Sequence, residues 1–247
     1  MTCDLKVCWR THTGFARKDN QDSIWVNGHI GRDDMREPAE IRISPETALT
    51  AIVCDGIGGG PGGREASETA SEAAGRTLSE AGVEPDISVV VSEAGAAMHR
   101  RSLIEPHLKG FGTTIAGVHV RSGYCTWFNL GDSRIYSLRD GFLRQLSLDH
   151  VASAGSNILT SWIGDSANRG HAAAWWGREQ ISPGTVYLVC SDGLFLHLSA
   201  DEISEHLAEP GIGAVAEMLD LCLRRGGKDN ISLVQISVHE RGASHDG

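Results

Sequence analysis

An α+β layered fold, with sheets covered by helices, follows from three observations in this sequence. Apolar runs of strand length recur along the chain. Some of them are joined by hairpin tripeptides, and two pairs of helical segments lie among them. No Pro/Ser-rich linker or composition break divides the 247 residues, so we expect one domain over 1–240 and a disordered tail at 241–247.

The elements are read in order. A strand around Lys6–Thr11 leads into the polar THTGFARKDNQDS, and a second strand covers Ser23–Val26. Gly31–Glu46 is polar, contains two prolines and reads as a surface excursion. Ala48–Cys54 is a buried strand by its length and its abrupt Asp-Gly ending. Arg64–Ala81, rich in Ala and Glu, is a helix packed through small residues. Asp86–Arg101 is a second helix, with Pro85 and Asp86 as start signals. Strands follow at Thr113–Arg121, Tyr124–Leu130, Arg134–Leu138 and Phe142–Leu146. Arg121-Ser122-Gly123 and Arg139-Asp140-Gly141 occupy hairpin positions among them. The strand Thr185–Cys190 precedes helices at Ala200–Ala208 and Ile212–Arg225. Gly226-Gly227 stops the second of these, and Ile231–Val238 is the last strand.

Composition narrows the function. Hydrophobic content of 40% and charged content of 22% are those of a globular protein. A formal charge of −10 argues against nucleic acid or an anionic membrane as partner, and clustered aspartates that hold cations would account for part of it. The six cysteines form no CxxC pair. Cys54, Cys125 and Cys190 lie inside strands, where a free thiol behaves as a small buried hydrophobe. The segment MTCDLKVCWR has no long apolar stretch and no run reaches the roughly 20 residues that span a bilayer. The expectation is a reduced, cytoplasmic protein acting as a monomer.

The chemistry lies where apolar runs stop. TAIVCDG, TVYLVCSDG and GGKDN before ISLVQISV each set an acidic residue beside a glycine or asparagine, and WFNLGDSRIY places another aspartate between apolar stretches. Carboxylates held at strand ends suit hard divalent cations, which prefer oxygen ligands. Asp55 is followed by glycines and then a helix, so its loop is one whose bare backbone approaches something closely, not a hairpin turn. No lysine completes a GxxxxGK[ST] phosphate loop, and no HExxH or paired Cys/His spacing supports zinc. Arg17 stands five residues ahead of Asp22. The run around it reads either as a solvated loop or as a guanidinium that binds a phosphate beside the cations.

In sequence, THTGFARKDNQDS (11–23), VCDGIGGG (53–60), FGTT (111–114), NLGDSRIY (129–136), LSLDH (146–150), CSDGL (190–194) and GGKDN (226–230) resemble the metal-dependent Ser/Thr protein phosphatases of type 2C, in particular compact bacterial members. The resemblance implies a four-layer α-β-β-α sandwich, two antiparallel sheets flanked by helix pairs, with a metal cleft at one end. It implies two or three Mn²⁺ or Mg²⁺ ions. Asp55, Asp192 and Asp229 would bind one of them; Asp55, the Gly56 carbonyl and Asp22 the second; Asp132 with Asp192 a weaker third. Arg17 would bind phosphate, and Gly112, Thr113 and Thr114 would shape the cleft floor. Hydrolysis would proceed by water activated between the metals, without a covalent intermediate. Substrates would be Ser/Thr-phosphorylated proteins, the targets of a bacterial-type Ser/Thr kinase.

Two departures from the pattern stand out. Gly60 replaces the histidine that many bacterial members carry after DGxGG, which leaves the general acid open, with His150 or a water as candidates. The stretch between Asp149 and Asn157 is shorter than the family's usual flap, which implies an open cleft. The alternatives are a non-catalytic phosphoprotein-binding relative and a small-molecule phosphomonoesterase.

Overall fold

The computed structural model describes residues 3–57, 62–164 and 173–241. Its strands in the first half are β1 (Cys3–His12), β2 (Asp22–Val26), β3 (His29–Gly31), β4 (Ala39–Ile43) and β5 (Leu49–Asp55). Helices α1 (Gly63–Glu80) and α2 (Ile87–Ile104) come next. Then follow β6 (Gly112–Thr113), β7 (Ile115–Arg121), β8 (Tyr124–Leu130), β9 (Arg134–Arg139), β10 (Phe142–Gln145), β11 (Ile163–Gly164), β12 (Trp175–Gln180) and β13 (Val186–Cys190). The chain closes with α3 (Asp192–Phe195), α4 (Ala200–Ala208), α5 (Ile212–Arg224) and β14 (Ile231–Glu240).

Two six-stranded sheets form, ordered β10-β9-β13-β14-β1-β4 and β12-β8-β7-β5-β2-β3, and a two-stranded ribbon pairs β11 with β6. The pairings are antiparallel throughout the named strands. Alternation along the strands divides the core into three layers, because successive side chains point to opposite faces. On β5, Leu49, Ala51 and Val53 meet Val7, Trp9, Val234 and Ile236 of the other sheet. Ile52 and Cys54 turn the other way, onto Ala66, Ala70, Ala74, Val90 and Met98 of α1 and α2. On the far side Leu188, Cys190 and Leu233 pack under Ile203, Val215 and Leu219 of α4 and α5. The result is the expected helix–sheet–sheet–helix sandwich. Each fully buried Leu, Ile or Val contributes roughly 1.5–3 kcal/mol.

Sequence reading located most elements but missed several. The excursion at 31–46 carries β4, an edge strand paired only with β1 within its sheet. Ala39–Arg42 remain partly or fully exposed, so the segment lacks the apolar run that marks a buried strand. The β12 edge was not foreseen for the same reason, with Trp175 and Trp176 about half exposed. Thr113–Arg121 is two strands, β6 and β7, with Thr114 between them. Of the expected tail only Arg241 is described, paired with Glu46 at 2.9 Å; 242–247 lie outside the described residues. All six cysteines are free and buried. No helix among the described residues is long and apolar enough to cross a membrane.

Candidate metal centre

Register gathers the motif aspartates. Asp22 opens β2 and Asp55 ends β5, and the two are direct partners across the ladder. Cys190, the last residue of β13, is level with Arg134 at the start of β9 and Leu233 near the start of β14. His12 at the end of β1 is level with Ile231. The Asp132 turn before β9, Asp192 opening α3, and Asp229 just before β14 therefore share one end of the sandwich with the loop that bears Arg17.

Close backbone contact and small hydroxyls hold this end in place. Gly56 donates its N–H to the Gln21 carbonyl at 3.0 Å, and a Cβ at Gly56 would come within 2.1 Å of the Gly63 carbonyl oxygen. A Cβ on Gly193 would come within 1.9 Å of the Asn230 carbonyl oxygen, so the residues after Asp192 and Asp229 can meet only without a side chain there. Thr113 Oγ1 donates to the Asp55 carbonyl at 2.8 Å, and Thr114 Oγ1 accepts from the Asp55 N–H at 3.0 Å. Ser191 Oγ donates to Asp22 Oδ2 at 2.7 Å and accepts from the Ser232 N–H at 3.0 Å. Asn230 Oδ1 accepts from the Gln21 N–H at 2.9 Å, and its amide donates to the Thr13 and Asp19 carbonyls. Arg134 grips Asp149 at 2.7 Å and lies 3.7 Å over the Phe195 ring, which ties the Asp132 turn to α3.

The electrostatics report crowding of like charge. Burial, relieved by the Ser191 and Ser232 hydroxyls and raised again by Asp229, pushes Asp22 up to about 6. Burial, followed by Asp229, Asp132 and Asp22, pushes Asp192 up to about 8. Asp55 is driven well above the carboxylate range, by burial first and then by Asp22, Asp192, Asp132 and Asp229. Burial also raises Asp132. Arg134 offsets part of the charge on Asp132, and Arg17 donates from Nη2 to Asp229 Oδ2 at 2.7 Å with its side chain 47% exposed. That bond is the main cause of its own raised pKa.

Two carboxylate oxygens, Asp22 Oδ1 and Asp192 Oδ1, are buried with no hydrogen-bond partner. An unpaired buried acceptor costs about 1–3 kcal/mol, more when charged. Oxygens of this kind in a nest of aspartates are the donor set that a hard divalent cation takes. Among the described residues no three His, Cys, Asp or Glu side chains stand close enough together to hold a metal ion as they are placed, so the aspartates would have to draw in around a cation. The Arg17 bond, which draws on Asp229, is consistent with that looser spacing.

Asp22, Asp55, Gly56, Asp132, Asp192, Asp229 and Arg17 thus come to one end of the molecule. Gly60 lies outside the described residues. His150 sits behind the Asp132 turn, its N–H on the Gly131 carbonyl at 3.0 Å and its Nδ1 3.3 Å from the Gly131 N–H. Sequence reasoning overlooked Ser191 and Asn230 as supports, and Ser133, whose hydroxyl stands 2.7 Å from Thr114 Oγ1. Each lies beside a motif aspartate, and that adjacency is the signal that could have found them.

Fold and site together define a double-sheet sandwich with a cluster of buried aspartates at one end. The protein phosphatase 2C family model matches residues 21–232, and the chain belongs to that family. The serine/threonine protein phosphatase PstP of Mycobacterium tuberculosis is 26% identical over 261 residues, covering 96% of this chain and 46% of PstP. The chain thus spans about half the length of that relative. The serine/threonine phosphatase stp of Listeria monocytogenes is 26% identical over 258 residues, covering 92% of this chain and 94% of stp. The crystal structure of M. tuberculosis PstP superposes with a TM-score of 0.77 at 24% identity, covering 96% of this chain and all of that one, a likeness of fold. The PstP catalytic domain in complex with two manganese ions superposes with a TM-score of 0.75 at 26% identity, over 97% of this chain and 100% of that domain.

Proposed function

We propose that this chain is a metal-dependent protein Ser/Thr phosphatase. The observation that carries the reading is the gathering of Asp22, Asp55, Asp132, Asp192 and Asp229 at one end, two of them with orphaned buried oxygens. Asp55, Asp192 and Asp229 would hold one Mn²⁺ or Mg²⁺. Asp55, Asp22 and the Gly56 carbonyl would hold a second, and Asp132 with Asp192 a third. The manganese pair in the PstP domain supports this choice of cation. When bound, such cations supply Lewis acidity, which activates water near neutral pH and offsets charge on the phosphoryl group.

The protein's own groups fix the rest. A guanidinium carries five donors and Asp229 occupies one, so Arg17 can take phosphate oxygens without releasing the carboxylate. Ser191 and Thr114 hold Asp22 and Asp55 in place, so the charge of the cleft is set before substrate enters. The two cysteines that precede site aspartates are unsuited as nucleophiles: burial, then Asp22 and Asp55, drives the Cys54 thiol far up, and burial does the same to Cys190.

We further infer that residues 1–240 act as one catalytic unit, as a monomer in a reducing cytoplasm. Substrates would be phosphoproteins made by a bacterial-type Ser/Thr kinase. The names of the bacterial relatives and the six free, buried cysteines support this. In place of a long flap, 150–160 folds back on itself, with Val151 bridging Leu159, which supports an open cleft. The test is hydrolysis of a phosphothreonine peptide by the full chain with Mn²⁺ and with chelator, beside nucleotides and sugar phosphates. Mn²⁺-dependent turnover favouring the peptide is expected. Turnover of small phosphates alone, or binding without turnover, would overturn the assignment.

A further inference from the structure

Asp192 and Asp229 belong to elements far apart in sequence, α3 and the loop between α5 and β14, so noncovalent contacts must set their spacing. Ser191 ties the strand ends behind them through the Ser232 N–H, and a second side chain braces the two loops in front. His197, just beyond α3, places Nδ1 at 2.8 Å from the Gly193 carbonyl, one residue after Asp192. Its Nε2 accepts the backbone N–H of Lys228, one residue before Asp229, at 3.3 Å. A backbone N–H can only donate, so Nε2 is the bare nitrogen and Nδ1 carries the proton that Gly193 accepts. The ring is therefore a neutral strut with one assigned tautomer.

Arg225 closes the strut from outside. It donates to the His197 carbonyl and, at 2.9 Å, to Glu202 Oε2, while its other nitrogen pairs with Glu202 Oε1. Glu202 also completes the capping box of α4 through Ser199, so the α3–α4 corner is rigid where Arg225 holds it. On its other side the same loop accepts the N–H groups of Phe15 and Ala16 at the Gly227 carbonyl, next to Arg17. The Asp229 loop is thus held between the arginine-bearing turn and the histidine ring.

We propose that His197, braced by the Arg225–Glu202 pair, is a positioning residue that fixes the separation of Asp192 and Asp229 and thereby tunes cation affinity. This rests on the metal-centre reading above. Outer partners of metal ligands typically change affinity by about 10–100-fold when removed. His197→Leu removes both ring contacts at similar volume. His197→Gln keeps an acceptor at the reach of Nε2.

The test measures Mn²⁺ affinity of the full chain by calorimetry, kcat and KM on a phosphothreonine peptide, and Tm in chelator. His197→Leu should bind Mn²⁺ about 10–100-fold more weakly, with KM and the chelator Tm close to wild type. His197→Gln should recover most of the affinity. Arg225→Gln, at the surface, should shift it in the same direction by less, and it provides a second measurement should the leucine variant fold poorly. Wild-type affinity in both His197→Leu and Arg225→Gln, or an affinity loss that tracks Tm without rescue by glutamine, would overturn the proposal. A wild-type chain that binds no Mn²⁺ would remove the metal-centre reading itself, and the proposal with it.

Discussion

Asp22 and Asp55 face each other as direct partners on adjacent antiparallel strands, two carboxylates where a sheet ordinarily avoids like charges. Such a pair, buried beside Asp192, opposes folding unless a cation or a retained proton relieves it. Asp55→Asn or Asp192→Asn should therefore abolish Mn²⁺-dependent turnover and raise the melting temperature in chelator. A gain of ~1 kcal/mol corresponds to roughly 2–4 °C for a chain of this size. Calorimetric scans with parallel phosphopeptide assays check both halves; an active or destabilised variant would contradict them.

The pH dependence of stability carries a definite sign. Asp192 is raised from its ordinary 3.8 to about 8, so in chelator the folded state holds a proton that the unfolded state has lost. Stability is then fully present below the ordinary value and is lost as pH climbs through the folded one. Asp22, at about 6, adds to the lower part of that window. His119 acts oppositely: burial and Arg121 lower it from 6.5 to about 4, so it costs stability as pH falls below 6.5. Between 6.5 and about 8 Asp192, joined by the raised Asp55, outweighs His119, and the melting temperature in chelator should fall as pH rises. Saturating Mn²⁺ should flatten the slope. A slope unchanged by Mn²⁺ would separate these carboxylates from cation binding.

Arg17 faces the phosphate more than the fold. A charge-assisted hydrogen bond contributes about 1.5–3 kcal/mol, so Arg17→Ala should lower kcat/KM by roughly 10- to 100-fold. Inorganic phosphate should inhibit that variant more weakly, while Tm changes little because the side chain is half exposed. Unchanged phosphate inhibition would confine Arg17 to its bond with Asp229.

A stability variant without catalytic effect lies on α1. A Cβ at Gly75 would stand 2.4 Å from a Trp25 ring carbon. Alanine normally gains about 0.5–1 kcal/mol over glycine inside a helix, but overpacking costs about 1–3 kcal/mol. The clash should win. Urea titration of Gly75→Ala is expected to show a lower midpoint, with wild-type turnover per folded molecule.

What the sequence disclosed follows from where its information is local. The site aspartates were legible because each ends or opens an apolar run beside a glycine or asparagine. The helix start at Ala200 was located to the residue, and Ser199 and Glu202 cap that helix from within four residues of chain. The β4 and β12 edges were illegible because solvent covers one side of each and blurs the apolar pattern. The supports were hidden for another reason. Ser191 adjoins Asp192 yet bonds Asp22 across 169 positions, and His197 reaches Lys228 across 31, so adjacency could mark the residue but no local pattern announces so remote a partner.

The ladder between β1 and β14 has a consequence for how the protein can be joined to other things. Cys3 is level with Glu240, while His12 and Ile231 mark the acidic end. Both strands are ten residues long, which separates the two ends by roughly 30 Å. The described chain thus leaves the sandwich in both directions from the pole opposite the cleft. A tether, a fluorescent reporter or a further domain attached at either side would trail away from the aspartates. A chain held from that pole would still present its aspartates outward.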